Sequence, residues 1–183
     1  MRIFFFRHAR PLISQSLTLT FNAYIRWSKC YNLVPVSYES CKAISVKFSA
    51  ISNTKCFTSS LSRTFDTAQH IGLSDIHSLK LFDEIDLPAF CIPFIRLTPR
   101  NWGRLFRVFY EVLPSVIFHQ NIVKRVDEAV VFLEEQADLH SDIIIVGHGL
   151  FNRSVQRELL KRGWLTKDGY TRKYLSCCLY FKD

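Results

Sequence analysis

Arginine and histidine residues follow three separate apolar runs of this sequence. Arg7 and His8 come directly after "IFFF", Arg63 comes shortly after "CFTSS", and His148 lies in "IIIVGHG". An arginine guanidinium binds the oxygens of phosphate or carboxylate groups with paired hydrogen bonds. A neutral imidazole can act as a nucleophile or transfer protons near neutral pH. These residue types together indicate a site that binds an anion and reacts with it.

Phosphoryl transfer is the chemistry that these side chains suit best. The transferring group spreads its negative charge over three oxygens, so that catalysis consists mostly of positioning and charge stabilisation. Arginine supplies both without a metal or another cofactor. A neutral imidazole attacks phosphorus well, and a covalent intermediate divides hydrolysis into two steps. For His8 to attack through one ring nitrogen, we expect its other ring nitrogen to donate to a backbone carbonyl.

Each of these residues has a simpler interpretation when it is taken alone. Arg63 shares its predicted helix with Asp66 and could be an exposed ion-pair partner. Glu84, in "FDEID", could lie in a solvated acidic turn, and a lone histidine is more often structural than catalytic. Trp27 and Tyr31 are interpreted as core residues rather than as the lining of a pocket. The prediction of a site therefore depends on the combination of motifs.

Strands and helices alternate along the chain. Apolar, β-rich runs predict strands at 2–6, 55–60, 77–82, 142–149 and 173–181. Helical spacing and end signals predict helices at 17–30, 39–51, 60–72, 100–113, 121–139 and 150–162. This order predicts a three-layer α/β/α sandwich around a mainly parallel sheet. Ligands of such sheets bind beyond the carboxyl ends of the strands, which is where Arg7, His8 and His148 fall.

The predicted helix at 100–113 carries a basic stripe. Its apolar residues recur at helical spacing, whereas Arg100, Arg104 and Arg107 fall at i, i+4 and i+7 and share one side. Two interpretations stay open for this side. It is either a solvated helix face, or a stripe at the mouth of the pocket that steers substrates with a second anionic group.

Four segments resemble, in order, the motifs of the histidine phosphatase superfamily, the phosphoglycerate mutase-like enzymes. They span almost the whole chain and read "RHA" (7–9), "TSSLSRTFDTA" (58–68), "LFDEID" (81–86) and "VGHG" (146–149). The resemblance implies that His8 is the nucleophile that becomes phosphorylated and that Arg7 and Arg63 clamp the phosphate. It further implies that His148 is the second histidine of the phosphate pocket and that Glu84 is the proton donor.

The sequence departs from the superfamily's pattern at two neighbouring positions. Ala9 replaces the usual glycine, and Arg10 stands where many members carry an acidic or amide side chain. Alanine can replace this glycine without strain if the φ of the residue is negative, so we expect the phosphate pocket to be retained. The helix that begins near Gly149 is expected to direct its first amides and its positive dipole end at the phosphate.

These observations predict one histidine phosphatase-like domain over residues 1–183 that hydrolyses a small phosphomonoester without a metal. Phosphoglycerate mutase-type transfer would use the same residues, but it normally needs a longer chain. Small phosphohistidine-protein phosphatases usually lack a helical insertion, which the segment at about 88–120 is predicted to form. A member that binds phosphorylated ligands without turnover is the non-enzymatic alternative, although such a protein would not need the glutamic acid.

Composition and charge limit the other classes of protein. The net charge of +8 fits an anionic substrate, and no basic run of the kind typical of nucleic-acid binding is present. No apolar run approaches the length that spans a bilayer, and we expect a cytoplasmic protein. The six cysteines show no metal-ligand spacing and are interpreted as small, mostly buried thiols. The oligomeric state and the particular substrate stay open.

Overall fold

A computed structural model describes residues 1–45, 51–86, 94–112, 119–170 and 173–183. Its strands are β1 (Arg2–Arg7), β2 (Leu19–Thr20), β3 (Lys55–Thr58), β4 (Ile76–Ser78), β5 (Arg96–Leu97), β6 (Asp142–Gly147), β7 (Leu165–Thr166) and β8 (Cys177–Phe181). Its α-helices are α1 (Phe21–Leu33), α2 (Tyr38–Ser45), α3 (Ser62–His70), α4 (Pro99–Val112), α5 (His119–His140) and α6 (Gly149–Lys161).

Six strands form a mixed, mainly parallel sheet in the order β4-β3-β6-β1-β8-β7. The pairs β4–β3, β3–β6 and β6–β1 are parallel, whereas β8 runs antiparallel to β1 and β7. The strands β1 and β6 lie at the centre, which explains why their sequences are apolar almost throughout. The predicted α/β/α class is confirmed.

Alternate residues of the central strands point into two separate cores. Phe5 and Ile145 pack on one face of the sheet with residues of α5 and α6, among them Leu133. Phe6 and Ile144 pack on the other face with residues of α2 and α3. Helices therefore cover both faces of the sheet, and β1, buried between them, positions the residues that follow its end.

A third cluster, of aromatic residues, joins α1 to α4. Its buried members are Phe21 and Tyr24 of α1 and Trp102 and Phe106 of α4. Tyr24 and Trp102 stack with their ring centroids 5.8 Å apart, and the indole Nε1 of Trp102 donates to the carbonyl of Leu19 at 2.8 Å. This cluster fixes α4 beside α1 at the edge of the cleft described below.

Four predicted strands are shorter than the sequence pattern indicates. Those at 55–60 and 142–149 end two residues early, at Thr58 and Gly147, and the other two lose more. The strand predicted at 77–82 ends at Ser78, because its partner β3 ends at Thr58, and Lys80–Phe82 turn as a 3₁₀ helix. The strand predicted at 173–181 begins at Cys177, after Leu175 adopts a positive φ of 56°. The pair β7–β8 shows that the short strand β7 was missed.

Some predictions fall outside the described residues. These include most of the end of the helix predicted at 39–51 and two parts, 88–93 and 113–118, of the segment predicted as an insertion at about 88–120, in which α4 is described. Among the described helices, none combines the length and the apolar character needed to cross a membrane.

Candidate active site

The ends of β1 and β6 bring two histidines together. These strands pair in parallel with Arg7 opposite Gly147, and the amide of His8 donates to the carbonyl of Gly147 at 3.0 Å. His8 and His148, the residues that follow the two strands, therefore lie side by side with ring centroids 5.3 Å apart. Both side chains are almost completely buried.

The hydrogen bonds of His8 define its tautomer. Its Nδ1 lies 2.7 Å from the carbonyl oxygen of Ala9, which can only accept, so Nδ1 carries the proton and Nε2 presents a lone pair. Burial lowers the pKa of His8 well below its usual value, and the charges of Arg63 and Arg7 lower it further. The backbone hydrogen bond expected from the sequence is thus present, on a neutral imidazole.

Ala9 fits the site without strain. Among the described non-glycine residues only Phe94, Ser141 and Leu175 have a positive φ, so the φ of Ala9 is negative as the substitution for glycine requires. Its amide donates to Thr67 Oγ1 at 2.9 Å. The loop after β1 is therefore tied to α3.

Arg63 is a buried cation held by neutral partners. It lies in the first turn of α3, and its side chain is 3% exposed. One terminal nitrogen donates to Asn32 Oδ1 at 2.5 Å, and the other lies 3.1 Å from His148 Nδ1. Its Nε has no hydrogen-bond partner, and no carboxylate lies within ion-pair distance, among the residues that the structure describes. Burial lowers the pKa of Arg63, although arginine keeps its proton in proteins.

His148 is oriented through a chain of hydrogen bonds. The guanidinium of Arg63 can only donate, so Nδ1 of His148 is the acceptor. The proton of His148 is therefore on Nε2, which donates to Ser59 Oγ at 2.7 Å. The hydroxyl groups of Ser59 and Thr64 are 2.9 Å apart, which continues the chain into the start of α3. Burial lowers the pKa of His148 well below its usual value, and nearby positive charge, above all that of Arg63, acts in the same direction.

Arg7 and Gly149 lie next to each other beside His148. A Cβ atom placed on Gly149 would lie 3.5 Å from Arg7 Cζ, so the guanidinium packs against the backbone at the start of α6. The same guanidinium lies 4.5 Å from the centroid of the Tyr174 ring. Arg7, His148 and Gly149 together line a small recess that Arg107 also borders.

The carboxylate of Glu84 accepts hydrogen bonds from backbone amides of α6 that we expected to face the phosphate. The amides of Phe151 and Leu150, in the first turn of α6, donate to its carboxylate at 3.0 and 3.4 Å. The expectation that this helix directs its first amides at a phosphate is therefore wrong for these two residues. The neighbouring Asp83 is held by the backbone and hydroxyl of Ser60.

The predicted site residues border one large cleft or the recess next to it. Arg7, His8, Arg63 and Glu84 line a cleft of about 1180 Å³, and His148 and Gly149 line the recess beside Arg7. All six residues predicted from the sequence are thus brought together. No group of three or more His, Cys, Asp and Glu side chains that could hold a metal ion occurs in the described part of the chain.

Two tyrosines cover the arginines of the site. The ring of Tyr31 lies 5.1 Å from Arg63 Cζ, and the hydroxyls of Tyr31 and Tyr174 are 3.3 Å apart. Trp27 and Tyr31, interpreted as core residues, both line the cleft, although Trp27 also packs against the aromatic cluster of α1 and α4. Tyr174 and Asn32 were missed because no local pattern marks them, whereas Ser59 lies in the polar pair that the sequence places at the end of a strand before Arg63.

The fold and these motifs define the class of protein. The sequence matches the family model of the histidine phosphatase superfamily (branch 1) over residues 3–179. The chain belongs to this superfamily. No curated protein gives a significant match.

Solved structures with the same fold include several phosphatases. A mycobacterial glucosyl-3-phosphoglycerate phosphatase has a TM-score of 0.59 and 15% identity, over 87% of this chain and 79% of its own. A phosphoserine phosphatase from Entamoeba histolytica, in complex with 3-phosphoglyceric acid, has a TM-score of 0.58 and 15% identity, over 87% and 80%. A protein from Thermus thermophilus has a TM-score of 0.56 and 20% identity, over 97% and 91%. At these identities the likeness establishes the fold.

Proposed function

We propose that this chain hydrolyses a small phosphomonoester without a metal, through a phosphohistidine intermediate on His8. The observation that carries the proposal is a buried Arg63 without a carboxylate partner among the described residues, beside a neutral His8. A buried cation without a counter-ion is costly, and a bound phosphate removes that cost. The superfamily and its phosphatase neighbours agree with this assignment.

The phosphate is bound by side chains whose donors are already in place. Arg63 is fixed by Asn32, and its Nε is still available to a phosphate oxygen. Arg7 contributes a second guanidinium from the end of β1, next to Gly149. His148 accepts from Arg63 through Nδ1 and donates to Ser59 through Nε2, so it holds one end of the Arg63 guanidinium in place for the phosphate.

The first chemical step forms a phosphorus–nitrogen bond. Nε2 of His8 attacks phosphorus from the side opposite the ester oxygen, and the P–O bond to the leaving group breaks. Arg7 and Arg63 stabilise the charge on the three equatorial oxygens. Glu84, on the cleft wall, gives a proton to the departing oxygen and becomes a carboxylate. The products of this step are the free alcohol and a phosphorylated His8.

The second step returns the enzyme to its starting state. Glu84 takes a proton from water, whose oxygen attacks phosphorus as the P–N bond breaks. The electron pair of that bond returns to Nε2, so that His8 is again neutral. Nδ1 keeps its proton throughout because it remains hydrogen-bonded to Ala9. Inorganic phosphate then leaves through the cleft.

The proposal includes the arrangement of the chain around this site. We place residues 1–183 in one domain and interpret the segment at about 88–120 as an insertion. Its helix α4 packs on α1 through the aromatic cluster and contributes to one wall of the cleft. The insertion therefore selects the leaving group.

The proposal is tested by trapping the intermediate. Turnover of a ³²P-labelled phosphomonoester in chelator, quenched in alkaline detergent, should leave label on His8 that is stable in base and lost in acid. His8→Ala should abolish both adduct and turnover, whereas His77→Ala, which removes an exposed histidine outside the cleft, should keep both.

Three other outcomes would contradict the proposal. Unimpaired hydrolysis by His8→Ala would overturn the mechanism. Transfer of the label to a second alcohol in preference to water would indicate a mutase. Phosphate binding without turnover by the unmodified protein would indicate a non-catalytic binding protein.

A further inference from the structure

Two tyrosines from distant parts of the chain meet beside the proposed nucleophile. Tyr31 lies near the end of α1 and Tyr174 precedes β8, and their hydroxyl oxygens are 3.3 Å apart. The ring centroid of His8 lies 6.2 Å from that of Tyr31 and 5.6 Å from that of Tyr174. All three side chains line the cleft, so the tyrosine pair borders the space in which the phosphate would bind. The basic stripe of α4 lines the same cleft, which decides its open interpretation in favour of the pocket mouth: Arg100, Arg104 and Arg107.

Each tyrosine ring covers one of the two guanidiniums assigned to the phosphate. The Tyr174 ring centroid lies 4.5 Å from Arg7 Cζ, and the Tyr31 ring centroid lies 5.1 Å from Arg63 Cζ. The face of an aromatic ring attracts a cation at such distances. The rings therefore help to hold both guanidiniums, and their hydroxyls lie in the same positively charged surroundings.

The positions of both tyrosines are fixed by neighbouring structure. The amide of Leu175 donates to the carbonyl of Arg7 at 3.0 Å, which holds Tyr174 beside the end of β1. The rings of Tyr31 and Trp27, one helical turn apart on α1, contact each other with centroids 5.1 Å apart. The hydroxyl pair is thus held from two sides of the cleft.

The Tyr31 hydroxyl stays protonated near neutral pH. Burial raises its pKa above the usual value, and the neighbouring Tyr174 acts in the same direction. The charges of Arg63 and Arg7 act in the opposite direction without reversing the shift. This hydroxyl is therefore a hydrogen-bond donor in the pH range in which the proposed reaction would run.

A count of donors and acceptors leaves one hydroxyl hydrogen over. The side-chain amide of Gln15 donates to the Tyr174 hydroxyl oxygen at 3.3 Å. A tyrosine hydroxyl has one hydrogen, so the bond between the two tyrosines uses one of their two hydrogens. Within the described ranges these hydroxyls make no other hydrogen bond. The remaining hydrogen is available to an acceptor that binds in the cleft.

We propose that the Tyr31–Tyr174 pair belongs to the phosphate site and donates this hydrogen to a phosphate oxygen. The proposal rests on the proposed phosphatase activity and adds two binding residues to it. A hydroxyl that donates to an anionic oxygen forms a strong, charge-assisted hydrogen bond. Together with Arg7 and Arg63, the pair would hold the equatorial oxygens in place while His8 attacks phosphorus.

The test measures the binding of inorganic phosphate by calorimetry, which needs no turnover. Tyr31→Phe/Tyr174→Phe removes both hydroxyls but keeps both rings over the guanidiniums. We expect the Kd for phosphate to rise at least about tenfold, because a hydrogen bond to a charged group contributes roughly that much. Each single variant keeps one hydroxyl with its hydrogen, so we expect it to lose less affinity than the double variant.

Tyr110→Phe is the matched control. It removes a hydroxyl that also bonds to a second hydroxyl, that of Ser154 at 2.8 Å, but Tyr110 does not line the cleft in the described part of the chain. This variant should bind phosphate as the unmodified protein does. In the double variant kcat/KM for nitrophenyl phosphate should fall by a factor similar to the loss of phosphate affinity, and in the control it should not.

The possible results separate the two proposals. If the unmodified protein binds phosphate and the double variant binds it equally well, the role of the tyrosines is refuted and the phosphatase assignment stands. An equal loss of affinity in Tyr110→Phe would also refute that role, because the effect would not depend on the cleft. If the unmodified protein neither binds phosphate nor hydrolyses nitrophenyl phosphate, the phosphatase proposal fails and the role of the tyrosines fails with it.

Discussion

Acidification should destabilise this protein through its two buried histidines. His8 and His148 are neutral, almost completely buried and close to Arg63, so folding lowers the pKa of both imidazoles. Between the unfolded pKa, about 6.5, and the lower folded pKa, the unfolded chain binds more protons than the folded chain. The free energy of unfolding therefore falls as the pH is lowered below about 6.5, and the full stability is present above that value.

The size of the effect follows from proton linkage. For a histidine that stays neutral in the folded state, the loss approaches about 1.4 kcal/mol for each pH unit below about 6.5. At pH 5.5 the two histidines together would cost about 3 kcal/mol. That loss is a large share of the roughly 5–15 kcal/mol that typically separates folded from unfolded domains.

Urea unfolding at pH 7.5 and at pH 5.5 measures this loss directly. Few carboxylates titrate in this interval, so the histidines dominate the difference. His8→Gln and His148→Gln should each remove about half of it, whereas His140→Gln, which removes an exposed imidazole, should not. A free energy of unfolding that is unchanged at pH 5.5, or an equal slope in all three variants, would refute the linkage.

Three further predictions concern single side chains. Glu84→Gln should slow alkyl phosphates roughly 10²–10⁴-fold but nitrophenyl phosphate far less, and equal slowing in steady-state assays would move the proton donor elsewhere. Gly147→Ala would place a Cβ atom 2.2 Å from Asn152 Oδ1, and we expect it to lower the free energy of unfolding by about 1–3 kcal/mol in urea titrations. Asn32→Ala removes the acceptor that positions Arg63, and phosphate binding by calorimetry should weaken roughly fivefold or more, whereas unchanged affinity would contradict that role.

The elements and the residues at their ends were predictable because they depend on local patterns. The continuous apolar runs of β1 and β6 reflect burial on both faces of the sheet, and the residue that follows each strand can be read directly. The amphipathic pattern of α4 likewise predicted which side of the helix is packed and which side carries the arginines. Patterns of apolar residues indicate burial. The ends of the two continuous apolar runs therefore located His8 and His148, and the helical spacing in α4 located the arginine stripe.

The strands at 77–82 and 173–181 show where such patterns fail. Both segments are apolar enough for longer strands, but the first ends where its neighbour β3 ends, and the second begins only after Leu175, whose φ is 56°. The length of the neighbouring strand is a property of the whole sheet. Residue type alone therefore could not place these ends.

The partners of the site residues were decided by tertiary structure. Arg63 is fixed by Asn32, 31 residues away, and Tyr31 meets Tyr174 across 143 residues of sequence. The first amides of α6 bind Glu84, although the sequence pattern was equally compatible with their facing a phosphate. Such contacts depend on how distant segments approach one another, and a local pattern of polar and apolar residues carries no record of that approach. The sequence by itself determined which side chains reach the end of the sheet, and only the fold determined which atoms they present there.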